Sequence, residues 1–210
     1  MAFDLLCTGC HAELPRNAHA MVCPICDEPG HADAMCGACL AEPPHFDLTV
    51  SAFAYAFPLD RLVQRYKFSA HLALTDLFAD ALMEAIGRRA VELPNVVVPM
   101  PLAHGRLAHR GFNQSALIAA RIGERLKLPV ERDALARTRE TMPQSGLSRA
   151  ARFRNVRGAF SSRRLMEGRR VAIVDDVMTT GNTLSEAARA LKAAGAASVQ
   201  AWVVARAVHR

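Results

Sequence analysis

Six cysteines lie within the first 39 residues as three C-x-x-C pairs: Cys7/Cys10, Cys23/Cys26 and Cys36/Cys39. A C-x-x-C turn aims two thiolates at one point, and two such turns complete a tetrahedral Zn2+ site. Cys23-Pro24-Ile25-Cys26 and Cys36-Gly37-Ala38-Cys39 are separated by nine residues. That is the spacing of a compact zinc ribbon, with room for a short hairpin between the knuckles. Four thiolates leave no open coordination position, so the expected Zn2+ is structural. It would also help a segment of about 45 residues, too short for a thick core, to fold. The remaining pair, Cys7/Cys10, either replaces one of the other pairs or forms a second site with His11, His19 or His31.

A second concentration of chemistry runs from Val171 to Leu184. Val171-Ala172-Ile173-Val174 reads as a buried strand, and it ends in two adjacent carboxylates, Asp175 and Asp176. Thr179, Thr180, Gly181, Asn182 and Thr183 follow, and then a helical pattern begins. Ligands of open α/β sheets bind at the carboxyl ends of strands. A helix N-terminus presents free backbone N–H groups to a phosphate. Gly181 permits close backbone approach, and the threonines add hydroxyl donors. One turn therefore joins anion donors to carboxylates, which suits a phosphate-bearing ligand with hydroxyls or Mg2+. The 12 glycines contain neither the G-x-G-x-x-G nor the Walker A spacing, so those two phosphate motifs are excluded.

These residues need a frame. Thr49 to Phe57 alternates like a strand, and Pro58 opens a short helix with Leu59, Leu62, Val63 and Tyr66 on one face. A longer helical pattern runs through Leu74, Phe78, Leu82 and Ile86. Asn95 to Pro99 is a short apolar strand, followed by a loop to Asn113 and a helix to Lys127. Ser198 to Ala205 is a last strand. Short apolar strands separated by helical patterns predict an α/β fold, a mostly parallel sheet covered on both faces. Glu42-Pro43-Pro44-His45 breaks regular structure and sets the expected boundary, with a ribbon over 1–47 and an α/β domain over 48–210.

Charge follows the same division. Residues 1–47 hold seven acids and one base, whereas 48–210 hold 25 Lys and Arg against 13 acids. The acidic part is a poor nucleic-acid binder, and the basic part suits phosphate, pyrophosphate or nucleic acid. The stretch Arg137–Arg170 alone has ten Arg and two Glu. At 6% aromatic residues, a broad base-stacking platform is disfavoured. No uncharged stretch approaches the roughly 18 residues of a membrane span. Met1-Ala2-Phe3-Asp4 lacks a basic leader, so no signal peptide is expected and the predicted compartment is the cytoplasm, where thiols stay reduced.

Val171–Leu184 resembles the phosphoribosyl-pyrophosphate (PRPP) signature of type I phosphoribosyltransferases. Tyr66-Lys67-Phe68, Pro99-Met100-Pro101-Leu102, Arg110-Gly111-Phe112-Asn113-Gln114, Gln144-Ser145-Gly146-Leu147-Ser148-Arg149 and Asn155–Phe160 resemble one branch, the ComF family associated with DNA uptake in natural competence. Members often carry four C-x-x-C pairs, where this chain has three. The resemblance implies a type I phosphoribosyltransferase-like sheet and Mg2+-dependent binding of PRPP. Asp175 and Asp176 would hold the ribose hydroxyls, directly or through Mg2+, and Thr179, Thr180, Gly181, Asn182 and Thr183 would bind the 5′-phosphate. Arg106 and Arg110 would face pyrophosphate. No general base can be named from the sequence: His104 and His109 are candidates, each read in the first instance as a surface-loop histidine, and residues 141–157 would form a flap over pyrophosphate or a nucleic-acid track. Single-stranded DNA and the competence helicase machinery are the implied partners. A non-catalytic DNA-handling module on the same fold is the alternative.

Overall fold

The computed structural model of the protein describes residues 5–17, 21–31, 34–139 and 156–207. In chain order the elements are α1 (Thr8–Ala12), α2 (Gly37–Ala41), β1 (Leu48–Ala54), α3 (Leu59–Phe68), α4 (Leu74–Arg89), β2 (Val96–Pro99), α5 (His104–Arg110), α6 (Gln114–Leu126), β3 (Leu135–Arg137), β4 (Phe160–Ser162), β5 (Arg170–Met178), α7 (Asn182–Ala193) and β6 (Ser198–Arg206).

Four strands form a wholly parallel sheet in the order β1-β6-β5-β2. Beyond β2, the Val97 N–H donates to Pro129 O and Glu131 N–H donates to Val97 O, both at 2.9 Å. The period of two along each strand separates two cores. Val171, Ile173, Val199, Ala201 and Val203 face one, which α7 covers with Leu184, Ala187, Ala188 and Leu191. Ala172, Val174, Trp202 and Val204 face the other, which α3, α4 and α6 cover through Tyr66, Phe78, Leu82, Ile118 and Ile122. With both faces buried, the central strands read as continuous apolar runs rather than alternating ones. Trp202 is fully buried, and its indole N–H donates to Gln200 Oε1 at 2.9 Å, so the largest core side chain leaves no polar atom unmet.

The four-cysteine cluster belongs to the α7-side core. Cys23, Cys26, Cys36 and Cys39 pack with Phe46, Met178 and Leu184. Asp27, buried beside this knuckle, accepts the Ser51 N–H at 3.0 Å and so fixes the segment to β1. The hairpin expected between the knuckles is not formed among the described residues. A single antiparallel bridge, Val22 to Pro29, brackets the first knuckle, and α2 begins at the second. Local turns at the cysteines set this geometry, and the intervening sequence lacks the alternation a hairpin requires.

The segment after Pro99 is also more ordered than the expected loop. It contains α5, which ends at Gly111 with φ of 78°. None of the α5 residues is buried, so no apolar period marked it as a helix. β3 and β4 pair antiparallel away from the main sheet. Among the described residues, no helix is long and apolar enough to cross a membrane.

Candidate functional site

Asp175 and Asp176 stand at the carboxyl end of β5, as the sequence predicts. The Asp175 Oδ1 accepts Ser115 Oγ at 3.0 Å and the Asp176 N–H at 2.9 Å. Burial, and then the neighbouring Asp176 carboxylate, push the Asp175 carboxyl up to about 7. Asp176, only 5% exposed, has both oxygens engaged. Lys67 Nζ lies 2.8 Å from Oδ1, and Gln114 Nε2 donates to Oδ2 at 2.6 Å. Gln114 Oε1 in turn accepts Arg110 Nη1 at 2.6 Å, and Arg110 lies over the Phe68 ring at 5.3 Å.

Each partner is held by its own element. Tyr66 is fully buried, and its hydroxyl meets Thr75 Oγ1 at 3.0 Å, which seats the C-terminal turn of α3 and therefore Lys67. Burial drives the Tyr66 phenol up to about 12, so it stays neutral. Asn113 caps α6, with Oδ1 accepting Ser115 and Ala116 N–H groups, while its Nδ2 donates to Met100 O at 3.0 Å. One side chain thus fixes both the start of α6, which carries Gln114 and Ser115, and the end of β2.

These groups open on a cavity of about 370 Å3. Lys67, Arg106, Arg110 and Arg137 line it together with Asp175 and Asp176, and Tyr55, Thr179 and Thr183 supply hydroxyls. Four cations and two carboxylates around one cavity favour a polyanion bound together with a small cation. Burial lowers the basicity of Arg110 and Arg137, and the same low-dielectric surroundings strengthen the attraction of each to a bound anion. The carboxylate and hydroxyl oxygens are also hard donors of the kind Mg2+ takes.

The Thr179–Thr183 turn has two faces. Thr179 and Thr183 line the cavity with the carboxylates. Thr180, Gly181 and Asn182 line a larger cavity of about 850 Å3 on the other side, shared with Phe46 and the second knuckle. Asp175 and Asp176 line only the smaller cavity. Gly181 has φ of 80°, and a Cβ there would lie 2.8 Å from Met178 Cε and 3.5 Å from Phe46 Cζ.

Arg106 and Arg110 line the small cavity, whereas His104 and His109 are exposed and do not. Sequence reasoning about site roles passed over Lys67, Gln114, Ser115, Tyr55 and Arg137. Lys67 and Gln114 stood inside quoted stretches, but Arg137 carries no local signal, since β3 is only three residues long. Residues 141–155 of the expected flap or track lie outside the described residues.

The sulfurs of Cys23, Cys26, Cys36 and Cys39 lie within 4.8 Å of one another, and all four residues are buried. Burial opposes a thiolate at Cys23, yet backbone N–H groups of Cys26, Cys36 and Ile25 hold it down at about 7. This is the donor set of a closed tetrahedral site. Cys7 and Cys10 are exposed and stand apart from it, with Cys7 Sγ accepting the Cys10 N–H at the start of α1.

Residues 108–210 match the phosphoribosyl transferase domain family, so the parallel sheet with carboxylates and a threonine-rich turn at the end of β5 is a phosphoribosyltransferase-type domain. The DNA utilization protein YhgH of Escherichia coli K12 is 38% identical over 190 residues, covering 88% of this chain and 84% of that one. Competence protein F of Haemophilus influenzae is 34% identical over 209 residues, covering 96% and 90%. The chain belongs to the ComF family. Among solved structures, a glutamine PRPP amidotransferase from Bacillus subtilis aligns at 27% identity and a TM-score of 0.41, over 61% of this chain and 25% of that one.

Proposed function

We propose that the small cavity binds PRPP with Mg2+ and that the protein is a phosphoribosyltransferase acting in the uptake or utilisation of DNA. The observation that carries this reading is that the Asp175–Asp176 pair, the threonines of the following turn and four cations line one cavity. Thr179 and Thr183, with the free N–H groups at the start of α7, would take the 5′-phosphate. Asp175 and Asp176 would hold the ribose hydroxyls, and Lys67, Arg106, Arg110 and Arg137 would surround the pyrophosphate. As the bond to ribose C1 lengthens, negative charge grows on pyrophosphate and positive charge on the ribose. Fixed cations on one side and fixed carboxylates beside the ring stabilise both without reorganising. Bound Mg2+ would supply Lewis-acid stabilisation of the leaving group.

The competence and DNA-utilisation names of the relatives support the biological setting. Within that setting the division at 47/48 assigns a structural Zn2+ to Cys23, Cys26, Cys36 and Cys39 in the first part and PRPP chemistry to the second. The test is calorimetry of the full chain with PRPP and Mg2+, followed by a screen of nitrogen nucleophiles for pyrophosphate release. Saturable binding lost in Asp176→Asn is expected. No binding at millimolar PRPP would refute the reading, and binding without release from any acceptor would leave a PRPP-responsive module in place of an enzyme.

A further inference from the structure

Arg206, the last residue of β6, is buried with a side chain only 5% exposed, and it lines neither the carboxylates nor the cation wall. All three of its nitrogens are used. Nε donates to the Cys26 carbonyl at 3.0 Å, and Nη2 donates to Glu28 Oε2 at 2.7 Å. Nη1 donates to the carbonyls of Thr179 and Ala207 and approaches Met178 O at 3.5 Å. One guanidinium thus ties the first cysteine knuckle to the backbone that begins the phosphate loop.

The loop needs such a support. The N-cap of α7 is Gly181, which has no side chain to cap the helix. Behind the glycine stands the buried ring of Phe46, from the segment that leads out of the second knuckle. The knuckle in turn is shaped by its own turn, with Asp27 N–H donating to Cys23 O at 3.0 Å and Cys23 N–H to Glu28 O at 2.8 Å. The positions of Cys26 O and Glu28 therefore follow from how Cys23 and Cys26 are held together. A planar, five-donor guanidinium fits this fork, and a flexible ammonium does not.

We propose that Arg206 is a positioning residue through which the four-cysteine centre sets the shape of the Thr179–Thr183 loop, coupling phosphate binding in that loop to metal occupancy at the cysteines. The inference rests on the reading of this loop as the 5′-phosphate site, and its test separates the two.

Arg206→Met and Arg206→Lys are compared with the wild type in the full chain by zinc content, amide hydrogen exchange at 179–183, and affinity for ribose 5-phosphate and for pyrophosphate. Arg206→Met should keep its zinc, exchange faster at 179–183, and bind ribose 5-phosphate about 10- to 100-fold more weakly, the range typical when a supporting partner is removed. Pyrophosphate affinity should stay within about twofold, because its cations lie on other elements, a split that general unfolding would not give. Arg206→Lys should fall between. Stripping zinc from the wild type with a chelator should raise exchange at 179–183 in the same way, and stripping it from Arg206→Met should add little. Unchanged exchange there in Arg206→Met, or in the stripped wild type, overturns the coupling. If Arg206→Met fails to fold, Arg206→Lys and the chelator arm decide. A wild type that ignores ribose 5-phosphate refutes the phosphate-site reading, while the exchange data still decide the coupling.

Discussion

Replacing Gly181 by Ala isolates the backbone requirement of the Thr179–Thr183 loop. At φ of 80° the residue sits in the left-handed region, where a Cβ costs about 1–2 kcal/mol. The added methyl would lie 2.8 Å from Met178 Cε, the free end of a flexible side chain, and at ordinary contact distance from Phe46. Met178 can swing aside, so backbone strain dominates and the Ala variant should lose about 1–2 kcal/mol. For a domain of this size that corresponds to a Tm lower by roughly 2–8 °C. Val adds a β-branch facing Phe46, and overpacking contributes about 1–3 kcal/mol more. The assay is urea unfolding of wild type, Ala and Val variants, with thermal melts in the absence and presence of PRPP and Mg2+. The wild type should melt higher with the ligand, since binding to the native state alone must stabilise it. That gain should shrink in Ala and vanish in Val. An Ala variant as stable as the wild type would show that the loop does not need the left-handed residue, and the account of its geometry would fail.

Asp176→Asn should fold and lose PRPP binding by calorimetry; retained affinity would remove the carboxylate from the site. Lys67→Met, which leaves the buried Asp176 without its ion pair, should destabilise the chain by about 2–4 kcal/mol in urea, whereas the exposed Arg61→Met should change stability little. Cys36→Ser should lose zinc by metal analysis while Cys7→Ser keeps it, and equal loss from both would place Cys7 in the principal site. Glu186 is buried in α7, which disfavours its charge, but Arg189 and the Gly158 N–H outweigh this and hold its carboxyl below the ordinary range. Its contribution to stability should therefore be present at neutral pH and disappear as pH falls through the depressed native value. A stability gap between wild type and Glu186→Gln that grows on acidification would contradict that sign.

The sheet was legible because its strands are apolar runs between helical patterns, and β5 with its carboxylate end needed nothing beyond adjacent residues. The clustering of Cys23, Cys26, Cys36 and Cys39 was legible for the same reason, since C-x-x-C is a local turn. Lys67 and Gln114 were visible only as letters in familiar stretches. What brings them to Asp176 is the seating of Tyr66 and the Asn113 cap, long-range packing that no spacing encodes. Arg137 and Arg206 were hidden further, each at the end of a strand, where an arginine reads as ordinary surface charge. α5 escaped notice because a helix with no buried face has no period, and among the described residues between the knuckles no hairpin forms, since that stretch lacks an alternating pattern.

The strand order β1-β6-β5-β2 has a consequence for how the chain is made. The fourth of these strands to leave the ribosome is an interior one, and until β6 arrives β1 has no neighbour in the sheet and β5 has one open edge. Arg206 reaches the first knuckle across an even longer span of sequence. Such non-local closure slows folding and leaves hydrogen-bonding edges unpaired in the nascent chain. A ribosome that stalls before Ser198 therefore releases a protein missing the middle of its sheet, with two sticky strands on display.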